Sequence, residues 1–167
     1  MSVHGGPDKA VYAYPAEHYP YWRGELPNQE LTWGIFGENL TTEGLHEGAV
    51  HIGDRLRIGT AELMVTQPRV PCYKLGIRFE RPDMVKRFLS SRRTGFYFAV
   101  DREGELSEGD PIELVAREAT SLTVADITRV YAFEKNDRET LQRAVELKAL
   151  PENWRNYFQE QLERIGR

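Results

Sequence analysis

The 167-residue chain has one cysteine, Cys72, so no internal disulfide can form. A lone thiol fits a reducing compartment, and a cytoplasmic protein is expected. No apolar run approaches the ~20 residues that a membrane-spanning helix needs. The first residues show no basic region followed by an apolar stretch, so no secretory signal is visible. Cys-x-x-Cys, His-x-x-x-His, HEXXH, P-loop and GxSxG patterns are all missing. That argues against a conventional zinc site and leaves the familiar nucleotide and serine-hydrolase motifs absent. A basic excess is missing too: 22 Lys and Arg face 26 Asp and Glu, net -4. This argues against broad nucleic-acid binding while leaving room for a local basic pocket for an anionic small molecule.

What is present reads as a globular chain whose composition changes near residue 118. Before that point, short apolar runs are broken by Gly, Pro and Asp. Strands are expected at Lys9 to Tyr14, Val50 to Ile52, Arg55 to Ile58, Ala61 to Gln67, Gly95 to Val100 and Pro111 to Val115. Leu56 and Ile58 alternate with Arg55 and Arg57, and Gly59-Thr60 turns the chain, so residues 55–67 read as a hairpin. Many short strands with Gly/Asp turns point to a barrel or sandwich. Helices are expected at Pro15 to Leu26, kinked or split at Pro20, and at Pro82 to Ser90. After residue 118 the pattern is helical. Thr123 can cap a helix carrying Val124, Ile127, Val130 and Tyr131, and Asp137 can cap a second with Leu141, Val145 and Leu147 inward. Pro151 starts a third, carrying Trp154, Tyr157, Phe158, Leu162 and Ile165.

Several clusters could carry chemistry. Cys72 lies between two rigidifying prolines and the cations Arg69 and Lys74, which favour a reactive or metal-binding thiolate. Free cysteine is also a common apolar filler, so the residues leave both readings open. His4-Gly5-Gly6-Pro7-Asp8-Lys9 is a Gly-rich turn whose backbone N–H groups could approach an anion, or simply a tight turn before a strand. In residues 36–44, Glu38 could act as an acid or base and Asn39 could hydrogen-bond a heterocycle; both could equally satisfy turn backbone. Ser91-Arg92-Arg93-Thr94 offers two guanidinium groups and a hydroxyl to a phosphate, or a solvated basic surface. Tyr19, Tyr21, Trp22 and Trp33 could wall a pocket, though such residues are more often core. His18, His46 and His51 read as surface or packing residues.

Four blocks occur together and in order: HGGPDKAVYAYP, GIFGENLTTEGL, GDRLRIGTAELMVTQPRVPCYKL, and RTGFYFAV followed by GELSEGDPIELV. Their combination resembles the MOSC domain family, named for the C-terminal domain of molybdenum cofactor sulfurase, and within it the YiiM-like subgroup. LTVADITRVYAF and LPENWRNYF resemble that subgroup's three-helix region. The resemblance implies a mainly β protein with α: a β-barrel core at 1–117 with interspersed short helices, and a three-helix appendage at 118–167. It implies binding of the molybdenum cofactor (Mo-molybdopterin), with Cys72 as the metal ligand, and at family level pyridoxal phosphate binding. On chemical grounds Arg69, Lys74, Arg92 and Arg93 are the candidates for neutralising the cofactor's phosphate. Gly5, Gly6, Asp8, Lys9, Gly37, Asn39 and Thr94 would contact it or line its mouth, and His4 would donate protons. Members of the subgroup carry a further segment before HGGPD, so the expected barrel has an exposed edge that a homodimer could cover. The implied activity is reduction of small N-hydroxylated substrates, such as purines or amidoximes, by an oxidoreductase served by an external flavin or Fe–S electron-transfer protein. A cofactor or sulfur carrier without turnover is the alternative. No nucleic-acid or membrane partner is expected.

Overall fold

The structure, a computed structural model, describes residues 5–167. Six strands form one sheet in the order β2-β1-β5-β4-β3-β6. These are β1 (Val11–Pro15), β2 (Leu40–Thr42), β3 (Arg55–Ile58), β4 (Ala61–Pro68), β5 (Phe96–Arg102) and β6 (Ile112–Ala116). β1 and β2 run parallel, and every other pairing is antiparallel. β4 slips register against β5 twice, between Glu62 and Leu63 and between Val65 and Gln67. Such bulges bend a strand and increase its twist. The expected barrel therefore takes the form of a curled half-barrel.

Alternation along the strands sends side chains to two cores. On β1, Ala13 faces one core while Tyr12 and Tyr14 face the other. Phe96 and Phe98 of β5 join Ala13's side. The hairpin of β3 and β4 forms as its pattern predicts, with Leu56 and Ile58 buried and Arg55 exposed. Tyr12, Tyr14, Tyr19, Trp22, Phe36, Phe79 and Phe88 build an aromatic core on the opposite face.

The helix expected at Pro15 to Leu26 is two pieces: a 3-10 turn at Ala16–His18 and α1 (Tyr19–Glu25), with Pro20 inside the first turn of α1. There its missing N–H has no intrahelical partner to lose. α2 (Tyr73–Arg78) and β2 were not expected from the sequence. α3 (Met84–Ser90) begins two residues later than Pro82. Residues 50–52 do not form a strand. His51 makes one isolated bridge to Thr123, while Ile52 N–H donates to the Leu122 carbonyl at 2.8 Å. Val50 and Ile52 are buried because they pack under the C-terminal helices.

Those helices are α4 (Val124–Ala132), α5 (Arg138–Glu146) and α6 (Glu152–Ile165). Thr123 and Asp126 form a reciprocal capping box, and Asp137 Oδ1 accepts from Thr140 N–H at 3.1 Å. Val124, Ile127, Val130, Leu141, Trp154 and Phe158 share one core with the sheet residues Leu63, Val65 and Phe98. Among the described residues, no helix is long and apolar enough to cross a membrane.

Candidate functional site

β4 ends at Pro68 and runs into Arg69-Val70-Pro71-Cys72, and α2 starts at the next residue. Leu75 and Phe79, four residues apart, are buried in the aromatic core. They anchor α2 and so fix Cys72, its extended N-cap residue (φ -120, ψ 173), at the surface. The Cys72 thiol is half-buried and makes no capping hydrogen bond. It is therefore neither a core filler nor a fully solvated group.

Arg69 is the organised cation beside it. Its guanidinium lies 4.7 Å from the centre of the Tyr12 ring and 5.4 Å from that of Phe88. It also donates to the Phe36 carbonyl. Burial works against its charge, but the neighbouring Tyr12, Tyr97 and Cys72 outweigh burial and hold its pKa above the usual value. Burial raises the Tyr12 phenol well above the ordinary tyrosine range and shifts the Tyr97 phenol in the same direction.

The Gly-rich turn comes to the same place. Residues Pro7–Lys9 make a 3-10 turn, and the Asp8 carbonyl accepts from Thr66 Oγ1 at 2.6 Å and from Gln67 Nε2 at 3.3 Å. Lys9 Nζ consequently reaches over the Tyr97 ring, 5.8 Å from its centre. Gly5 and Gly6 are exposed at the start of this turn. His4 lies outside the described residues.

The segment before β5 holds the site from behind. Tyr12 Oη donates to the Thr94 carbonyl at 2.6 Å, Tyr14 Oη to the Arg93 carbonyl at 3.0 Å, and Arg69 N–H to the Gly95 carbonyl at 3.3 Å. Gly95 sits at φ +64, and a Cβ there would collide with the Ala13 carbonyl and lie 2.9 Å from the Tyr14 ring. Its N–H donates to Glu47 Oε1 at 2.8 Å, and the Glu47 carboxylate in turn pairs with His18 Nε2 at 2.8 Å. Both members of that pair are buried. His18 is thus a buried hydrogen-bond partner of Glu47, where the sequence indicated a surface or packing residue.

Not every predicted site residue has a free side chain. Thr94 is buried with its hydroxyl on the Gly95 carbonyl at 3.0 Å. The Arg93 guanidinium stacks 3.9 Å from the centre of the Tyr21 ring. Arg92 is drawn 4.2 Å over Phe133 on the C-terminal side. Asn39 Oδ1 accepts from Tyr12 N–H, and Asn39 N–H donates to the Tyr12 carbonyl, both at 2.8 Å. The Glu38 carboxylate accepts from Tyr19, Gly34, Phe36 and Thr41. It organises its own loop. Lys74 is exposed on α2, two residues after Cys72. Tyr19 and Trp22 are core, whereas Trp33 is exposed. The sequence reading missed Tyr12, Tyr97 and Glu47. Tyr12 and Tyr14 were visible as alternate positions of one strand, but their partners 80 residues away were not.

The donor chemistry fits a metal that arrives with ligands of its own. Among the described residues, no three His, Cys, Asp or Glu side chains converge on a common point. One soft thiolate is what a metal already chelated by a sulfur-bearing cofactor would take from a protein. Cationic Arg69 beside the thiol, with Lys9 over the neighbouring Tyr97 ring, suits an anionic group there.

Fold and site together define a curled β-sheet protein that presents one thiol beside a stacked guanidinium, with a helical layer packed on its other face. Residues 1–113 match the family description "MOSC domain", and residues 122–164 match "YiiM-like, 3-alpha helix domain". The chain belongs to the MOSC domain family, in its YiiM-like branch. It is 41% identical to Bacillus subtilis YflK over 162 residues, covering 97% of this chain and 73% of that protein. It is 37% identical to Escherichia coli YiiM over 159 residues, 94% of this chain and 70% of that protein. A Gibberella moniliformis protein named Reductase is 38% identical over 132 residues, 77% of this chain and 24% of that protein. The crystal structure of YiiM from Geobacillus stearothermophilus superposes with a TM-score of 0.90 at 40% identity, covering 95% of this chain and 80% of that one. None of these descriptions supports the pyridoxal phosphate expectation.

Proposed function

We propose that the protein is a molybdenum-dependent reductase of small N-hydroxylated compounds, N-hydroxylated purines or amidoximes among them. The observation that carries the reading is the half-buried Cys72 thiol, held by α2 next to the stacked Arg69 in a MOSC-family chain. A relative named Reductase adds support. The overall change is R–NHOH plus two electrons and two protons giving R–NH2 and water. When bound, the molybdenum cofactor supplies the two-electron chemistry that cleaves the N–O bond.

This chain's residues do the rest. Cys72 provides the thiolate ligand. Arg69, Lys9 and Lys74 offset the cofactor's negative charge, and the Gly5-Gly6 turn gives it backbone donors. Arg93, Thr94 and Asn39 act through the backbone contacts that hold Tyr12 and Tyr14 in place. Tyr97 lines the site beneath Lys9 and beside Arg69. His4 is the candidate proton donor, since an imidazole titrates near neutrality when unperturbed. A separate electron-transfer protein returns the enzyme to its reduced state.

The test is expression with ample molybdate, elemental analysis for molybdenum, and reduction of a hydroxylaminopurine or benzamidoxime with reduced viologen. Cys72→Ser is expected to lose at least ~100-fold in turnover, a loss of about 2.7 kcal/mol in transition-state stabilisation, with an unchanged thermal transition. Full turnover at equal molybdenum content in that variant would overturn the assignment. Bound molybdenum with no N–OH reduction in the parent protein would instead identify a carrier.

A further inference from the structure

The negative net charge of the chain conceals one positive face. Between Arg69 and Arg93 stand eight Lys and Arg residues against two acidic ones, a local net charge of +6 within a total of -4. Arg81 and Arg87 pair with Asp83, and Arg87 also with Glu25. Among the described residues, Lys74, Arg78 and Lys86 make no ion pair, and all three are exposed on α2 and α3.

The same face carries apolar surface. Tyr73 and Ile77, four apart on α2, are each 68% exposed, and Val70 is 40% exposed. Tyr73, Ile77, Pro82 and Val85 line a shallow groove of about 440 Å³ between α2 and α3, with Glu80 and Arg81 also on its wall. Tyr73 follows Cys72 directly. An apolar patch flanked by an excess of cations, Glu80 being the acidic residue on its wall, has the composition of a transient docking surface. Electron-transfer encounters are small and rely on charge steering.

We infer that the α2–α3 face is the docking surface for an acidic electron-donor protein, which binds over Tyr73 and Ile77 beside the metal-ligating Cys72. This rests on the reductase reading. Its chemistry is charge complementarity: a donor with a carboxylate-rich rim around its redox group meets Lys74, Arg78 and Lys86, and the exposed edge of that group meets the apolar groove. An Fe–S ferredoxin and a flavodoxin share these features, and the experiment separates them.

The probes are an acidic [2Fe–2S] ferredoxin and an acidic flavodoxin, each presented to the molybdenum-loaded protein. Dissociation constants are measured by biolayer interferometry between 50 and 300 mM salt. Substrate reduction is measured with each reduced probe and, separately, with dithionite and viologen. The expected result is that one probe binds, and that binding weakens at least 10-fold across the salt range. Ile77→Asp with Lys86→Glu should lower probe-driven kcat/KM at least 10-fold while viologen-driven turnover stays unchanged. Equal probe binding and probe-driven turnover in the variant would overturn the docking surface. So would failure of both probes to bind the parent protein, or tighter binding of anionic vesicles or RNA to this face. Absence of viologen-driven turnover in the parent protein would sink the reductase reading, while the binding data judge the surface on their own.

Discussion

Trp154→Phe should destabilise the protein by far more than the loss of a few atoms implies. Trp154 Nε1 donates to Gln67 Oε1 at 2.6 Å, and both residues are buried, at 6% and 2% exposure. Phenylalanine removes the donor and leaves the amide oxygen buried without that partner, which costs about 1–3 kcal/mol. The smaller ring also loosens packing against Tyr131 and Phe158, whose ring centres lie 5.0 and 5.8 Å away, adding roughly 1 kcal/mol. A total of about 2–4 kcal/mol corresponds to a fall in Tm of roughly 5–12 °C in a chain of this size. The other end of the Gln67 amide holds the Asp8 carbonyl, so the loss reaches the Gly-rich turn next to Lys9. Calorimetry and urea unfolding give the magnitude, and hydrogen exchange at residues 5–10 gives the reach. Trp154→Phe combined with Gln67→Leu removes both polar partners and should cost less than the sum of the single changes by about 1 kcal/mol or more. A single-variant cost below ~0.5 kcal/mol, or strict additivity in the cycle, would show that this contact does not couple the helical layer to the site.

Two further expectations follow from local geometry. Gly95→Ala places a Cβ at φ +64 against the Ala13 carbonyl and should cost roughly 2–4 kcal/mol by thermal unfolding; a variant within 0.5 kcal/mol of the parent would refute the close approach. The Asp83 carboxyl is held down to about 2, chiefly by its hydrogen bond to Arg81 with help from Arg87. Its folded value lies below the unfolded value of about 4, so its contribution is present above about pH 4 and is lost as pH falls toward 2. Carboxyl NMR should show that midpoint in the parent and an upward move in Arg81→Gln; a parent midpoint near 4 would contradict the pairing.

The sequence alone determined what local rules can encode. Period-2 alternation and a Gly59-Thr60 turn define the β3–β4 hairpin, and Thr123, Asp137 and Pro151 mark the starts of the three C-terminal helices, because caps and periodicity act within a few residues. The order of four motif blocks placed the chain in its family and singled out Cys72. Tertiary structure alone decided the rest. α2 escaped notice because six residues with only Leu75 inward, and Phe79 just past the end, give little periodic signal. Val50 and Ile52 looked like a strand because they are apolar and β-branched, yet they are buried under helices that lie 70 residues onward. The stacking of Arg69 on Tyr12 and Phe88, and the grip of Glu47 on Gly95, join residues far apart in sequence. Such contacts depend on how the sheet curls, and no local pattern of residues encodes that curl.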